Sequence, residues 1–186
     1  MTRKLISVST FILLALIQSA VPLSMIARRE VTLKTGRQFK FRTAPVDPYD
    51  AFRGRYVALQ MEQASVKVAH NQAFARGQRV FVTLKQDEDG FTSLGNLTRH
   101  RPKEDPYLKV RVARVSGNDV RLSLPFDRYY MNEEDAPAAE AAYREHSRRE
   151  EGDAHVSVRI RRGFAVLEEL YIEGVPIEQY LVTQSD

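Results

Sequence analysis

Residues 5–26, LISVSTFILLALIQSAVPLSMI, form a run of 22 with no charge and 15 apolar side chains. This run restricts the backbone more than any other part of the chain. In hydrocarbon every peptide group needs an internal partner, so such a segment has to be helical. At 1.5 Å per residue it reaches about 33 Å, close to the thickness of a bilayer core. Arg3 and Lys4 precede it, and Arg28 and Arg29 follow. A cleaved signal peptide has a shorter apolar core, roughly 7–15 residues, and small residues at the cut. Gln18-Ser19-Ala20 and Met25-Ile26-Ala27 make poor cleavage sites. The expectation is a retained single N-terminal transmembrane helix. Residues 1–28 are read as the membrane anchor (or uncleaved signal sequence) and 29–186 as one domain, with lipid the partner of residues 5–26. Arg28, Arg29, Lys34, Arg37, Lys40 and Arg42 follow closely and favour a cytoplasmic domain, although long domains translocate largely regardless of such charges.

Behind the run, alternation of apolar and polar residues predicts strands at 39–46, 55–61, 78–85, 107–115, 119–126, 155–162 and 164–172, with a further one at 177–182. Turn signals separate them: Thr35-Gly36, Arg76-Gly77, Asp89-Gly90, Gly117-Asn118, Arg162-Gly163 and Glu173-Gly174. Short spacing favours antiparallel hairpins. The fold class expected is therefore mainly β, an antiparallel sandwich or barrel-like domain. One helix interrupts it at 132–150, with Asn132 or Asp135 as N-cap and Glu140–Arg144 and Glu145–Arg149 at i,i+4 spacing. Its apolar side, Ala136, Ala139 and Tyr143, is thin, which predicts a solvated surface helix or a flexible excursion, with a partner-binding helix as the alternative.

Charge is unevenly placed. Residues 28–128 carry 20 Lys and Arg against 11 Asp and Glu, and 129–186 carry 6 against 13. A basic face against anionic lipid would follow from such asymmetry. No nucleic-acid-binding signature accompanies the basic residues, which are spread along strands, so no nucleic acid is expected.

Catalytic patterns are missing from the sequence. The chain has no Cys, which removes thiol chemistry and Cys-based metal sites. His70, His100, His146 and His155 show no paired spacing, so solvent or structural roles are assigned to them, with no metal and no cofactor. No nucleophile elbow, Walker loop or dinucleotide fingerprint occurs. Asp87-Glu88-Asp89 before Gly90 reads as a hairpin turn.

One polar stretch remains, DPYDAFRGRYVALQM at 47–61. Asp47 and Asp50 can accept bonds from the turn's own amides, and Arg53 or Arg55 can pair with them. Gly54 then allows a bend before the strand. The structural reading accounts for every residue; the functional one is an Arg/Tyr surface that binds an anion or a protein.

At these residues the chain resembles the GDYxxLxY protein family, named for Gly-Asp-Tyr-x-x-Leu-x-Tyr after a DPxD turn and an Arg. The matching positions are Asp47-Pro48-Tyr49-Asp50, Arg53-Gly54-Arg55-Tyr56 and Leu59. Arg55 stands where the family has Asp, and Met61 where it has the last Tyr, so no role of that Asp transfers. Residues 77–91, DRYYMNEE at 127–134 (matching at Arg128, Tyr129 and Glu133) and LEELYIEGVPI extend the likeness over most of 30–177. The resemblance implies a small β-rich domain behind one span, facing outward, with a multi-spanning membrane protein as partner. It brings no established activity.

Together these readings predict a non-catalytic accessory or binding subunit. Its candidate polar cluster is Asp47, Asp50, Arg53, Arg55, Tyr56, Arg128, Tyr129 and Glu133. Two other functions compete with it. One is a hydrolase or lyase that uses Glu133 with Arg and Tyr groups in a pocket. The other is a structural spacer resting on anionic lipid.

Overall fold

A computed structural model describes residues 2–45, 56–69, 73–103, 106–148 and 153–185. The first element is one helix, α1 (Thr2–Thr35), 34 residues long and unbroken by Pro22. Its stretch Phe11–Thr35 is long and apolar enough to cross a membrane, with an 18-residue window of mean hydropathy 1.8. Phe11, Leu13, Leu16, Leu23, Met25 and Ile26 all project outward and are exposed. The helix continues past residue 28, and its last turns belong to the domain: Thr32 is buried, and α1 packs on two strands of the body, at 154–161 and 164–172.

The body follows in two antiparallel five-stranded sheets. The first runs in the order β12 (Val175–Pro176), β11 (Phe164–Ile172), β10 (Ala154–Arg161), β1 (Arg37–Ala44), β3 (Gln60–Met61). The second runs β4 (Ser65–Lys67), β8 (Asp119–Ser123), β7 (Tyr107–Ser116), β5 (Arg79–Gln86), β6 (Thr92–Thr98). A two-stranded ribbon pairs β2 (Tyr56–Ala58) with β9 (Arg128–Tyr130). Parallel bridges Lys40–Phe91 and Leu108–Gly163 join the edges of the large sheets, so the whole approaches a closed barrel. Closure hides strand edges that would otherwise template aggregation.

Alternation builds the interior. Phe39, Phe41 and Thr43 of β1 point inward, as do Val80, Val82 and Leu84 of β5 and Val156, Val158 and Ile160 of β10. Phe41 meets Phe126 at 5.0 Å between ring centroids. Two turns need left-handed backbone at both central residues. Arg162-Gly163 has φ of 51° and 77°, and Glu173-Gly174 has 51° and 78°. These are type I′ hairpins, whose twist suits the flanking strands. At Gly163 any side chain is also excluded, since a Cβ would lie 2.5 Å from the Tyr107 ring.

Several expectations need correction. Residues 177–182 are not a strand; they open the helix α3 (Ile177–Ser185). Ile177, Tyr180 and Leu181 sit at i, i+3 and i+4 and turn one face to the core, a helical spacing that a short apolar run conceals. The expected strand 55–61 divides at Leu59, where the chain leaves β9 and takes up β1 as its partner. The helix α2 (Ala136–His146) is docked and not merely solvated, because Ala136, Ala139, Tyr143 and His146 are all buried. Asp135 is its N-cap by position but makes no side-chain capping bond. Glu140 and Arg144 do pair, at 2.9 Å. β6 escaped sequence reading because Gly95 and Asn96 interrupt its pattern. A Cβ at Gly95 would lie 2.6 Å from Thr83 Oγ1, at a bulge that only Gly fits.

Candidate functional site

The ribbon carries the described part of the predicted polar cluster. Its register sets Tyr56 opposite Tyr130, Val57 opposite Tyr129 and Ala58 opposite Arg128. Alternation then decides the faces. Val57 and Tyr129 go inward; Tyr56, Arg128 and Tyr130 share the outer face. There the Tyr56 and Tyr130 rings lie 5.6 Å apart at 55°, and the Arg128 guanidinium sits 4.9 Å above the Tyr56 ring. A hydrogen bond with Tyr130, then the neighbouring Tyr56 and Asp127, strengthen the charged form of Arg128. Tyr130 is 63% exposed. Arg and Tyr held together on a surface are the residue types that anchor protein interfaces. Sequence reading took in Tyr56 and Arg128 but passed over Tyr130, although period-2 alternation alone places it beside Arg128.

Tyr129 does not join that face. It is buried, and its hydroxyl donates to Glu169 Oε1 at 2.6 Å. Burial first, then that bond and the carboxylate's charge, push the phenol well above its ordinary range. Glu133 stands exposed in the turn before α2. An exposed position is the wrong environment for the pocket acid of a hydrolase or lyase, so the reading built on Glu133 loses its support. Asp47, Asp50, Arg53 and Arg55 lie outside the described residues. Helix α2 ties the end of β1, before them, to the start of β3, beyond β2: the Tyr143 hydroxyl donates to Ala44 O at 2.9 Å and accepts from Gln60 N at 3.3 Å.

A second polar network fixes α1 to the barrel. The Arg159 guanidinium donates to Gly36 O at 3.3 Å and, through Nε, to Glu168 Oε1 at 2.9 Å. Ser157 Oγ and Gln38 Nε2 donate to the same Glu168 carboxylate, at 2.9 and 3.0 Å. A bulge in β11 lies at this point, and the two neighbouring carboxylates serve different partners, Glu168 the helix junction and Glu169 the Tyr129 hydroxyl. Higher up, Arg28 stacks over the Phe164 ring at 4.1 Å. At Gly36 a Cβ would meet Thr32 O at 2.4 Å and Ile160 N at 3.2 Å, so the helix end lies close against the backbone of β10.

A third grouping lies at the far end of β10 and β11. His146, the last residue of α2, is buried, with Asp153 Oδ2 at 3.8 Å and Glu173 Oε1 at 3.6 Å from its Nδ1. Its Nε2 lies 3.0 Å from Tyr180 Oη. Nothing in the sequence signals this group, because its members are brought together by helix docking and a hairpin end.

Comparison with known proteins returns a family model described as GDYXXLXY protein, matching residues 18–170. No curated protein and no solved structure matches the chain.

Proposed function

The chain belongs to the GDYXXLXY protein family, and on that premise we propose that it is a membrane-anchored, extracytoplasmic domain serving as a non-catalytic binding subunit of a multi-spanning membrane protein. The observation that carries this reading is the junction without a linker. α1 runs from its apolar stretch directly into β1, with Gly36 alone between them. Arg159, Glu168 and the Arg28–Phe164 stack hold it there. A domain fixed to its span keeps each surface at a set height and rotation above the bilayer. That geometry suits a partner embedded in the same membrane, since pre-organised surfaces lose less freedom on association. The outer face of the ribbon, with Arg128, Tyr56 and Tyr130, is the contact surface.

The outward orientation is part of the same proposal. Several basic residues after the span have partners within the domain: Arg28 on Phe164, Lys34 with Glu30, Arg37 with Gln86, Arg42 with Asp87. Arg3 and Lys4 before the span favour an inward N-terminus, and long domains translocate largely regardless of the charges that follow a span.

The test is co-purification of the full-length, tagged protein in mild detergent from its native membrane. A multi-spanning membrane protein recovered at near-equal amounts, and lost with Tyr130→Ala plus Arg128→Glu, supports the reading. Recovery of the chain alone, in every detergent that keeps it folded, speaks against it.

One observation favours the lipid-resting reading as a second. On the outer face of the second large sheet, like charges stand directly opposite across strands, Arg79 with Arg111 and Arg114 with Arg121. Such pairs repel. Anionic headgroups would relieve them, and salt-sensitive binding of the domain to phosphatidylserine vesicles would distinguish this use of the surface.

A further inference from the structure

We propose that His146, Asp153 and Glu173 form a binding site for a divalent transition-metal ion of the zinc type. Each comes from a different element. His146 ends α2, Asp153 immediately precedes β10, and Glu173 opens the turn between β11 and β12. The strands bring the two acids together: Ala154 pairs with Ile172, and Glu173 N donates to Asp153 O at 3.0 Å. One potential ligand atom from each of the three residues lies within 4.8 Å of the other two.

The buried imidazole is what points to a cation. The His146 side chain is 2% exposed, and its Nδ1 has no hydrogen-bond partner among the described residues. That nitrogen faces two carboxylates at 3.6 and 3.8 Å, beyond hydrogen-bonding reach. Either neutral tautomer leaves a mismatch. With the proton on Nε2, donated to Tyr180, a bare lone pair confronts two anionic oxygens. With the proton on Nδ1, a buried donor has acceptors too distant to use. A metal ion between the three groups resolves both. Donors on one tetrahedral zinc ion, with bonds of 2.0–2.2 Å, stand roughly 3.4 Å apart. The observed separations from Nδ1 need to close by only a few tenths of an ångström.

Two further features suit such a site. Tyr180 Oη lies 3.0 Å from Nε2 and its ring packs edge-on to the imidazole at 5.4 Å, while Gln184 Nε2 donates to the same oxygen at 3.3 Å. A second partner on the remote ring nitrogen is what fixes the tautomer and tilt of a metal-binding histidine. Glu173 is held at the first central position of a type I′ turn, which fixes where its side chain leaves the backbone. The chemistry of the donors selects the ion. One imidazole with two carboxylates favours zinc-type ions over calcium or magnesium, which prefer oxygen throughout. Asp153 and Glu173 are partly exposed, so water can complete the coordination. The ion would clip α2, the β10–β11 hairpin and, through Tyr180, α3.

The experiment is zinc chloride titration of the full-length, chelator-stripped protein in detergent, by calorimetry and by metal analysis after desalting. One zinc per chain is expected, with a thermal midpoint that rises with zinc and falls back with chelator. Glu173→Gln and Asp153→Asn sit at partly exposed positions and should keep the chelator-treated midpoint while weakening zinc about tenfold or more. Tyr180→Phe, which keeps the ring, should weaken it by roughly tenfold. Absence of saturable one-to-one binding overturns the proposal. So does binding that is equally tight in Glu173→Gln and Asp153→Asn.

Discussion

The Tyr129 hydroxyl donates to Glu169 Oε1 at 2.6 Å, tying the inner face of the β2–β9 ribbon to β11. Leu170 N donates to the same oxygen at 3.0 Å, so the carboxylate is held from two sides. Tyr129→Phe removes the bridging donor with little change of shape. It should cost about 1.5–3 kcal/mol, the usual range for a hydrogen bond to a charged group. The variant also tests a pH dependence. Burial, the bond to Glu169 and its charge all raise the Tyr129 pKa. The unfolded chain ionises this group near pH 10 and the folded protein does not. Its stabilisation is complete below about pH 10 and is lost as pH rises further, because only the unfolded state releases the proton. Thermal midpoints should therefore fall above about pH 10, and fall less steeply in Tyr129→Phe.

His155 sets an opposite limit. Burial first, and the charge of Lys40 second, hold its pKa below the ordinary 6.5. As pH drops below about 6.5 the unfolded chain gains a proton that the folded protein resists, so stability falls toward acid. The ring stacks on Tyr171 at 4.9 Å and meets Phe91 edge-on at 5.5 Å. His155→Phe preserves that stacking and removes the titration. Its thermal midpoint should vary less than the native protein's between about pH 5 and 7.

The junction between anchor and barrel should respond to one methyl group. Gly36→Ala forces a Cβ to 2.4 Å from Thr32 O, so the last turn of α1 or the start of β1 must move. A cost of about 1–3 kcal/mol is expected for such overpacking. The chain has no native Cys, so paired spin labels at Val31 and Lys85 report the movement cleanly. The distance distribution should be narrow in the native background and broaden with Gly36→Ala. Lys34→Ala, at an exposed site on the same turn, should leave it unchanged.

How much of this could be read from the sequence depended on the range of the signal. Alternation gave β1, β5, β7, β10 and β11 to within one or two residues, because a half-buried strand writes its own pattern locally; it overran β8 by three and missed β6. It failed at 177–182, where six residues fit a helix or a strand and only packing of Ile177 decides. Sequence reading placed α2 and its apolar side but undervalued how firmly the helix docks. Three small or aromatic residues looked too few to dock a helix, yet Tyr143 reaches the ends of β1 and β3 and contributes more than its share. Tyr129 carries the same local signal as Arg128, and the pleat alone sends one inward and the other out. His146, Asp153 and Glu173 were not legible at all, since their approach is a property of the folded topology.

The central claim is that the outer face of the ribbon meets a partner in the same membrane. Its most direct test replaces Tyr130 with a photo-reactive phenylalanine in the full-length protein and irradiates intact native membranes. The account predicts one dominant cross-linked species, a multi-spanning membrane protein, with no such product when the probe replaces exposed Lys85 on the second sheet. Lipid adducts alone at position 130, or the same products from both positions, would contradict it.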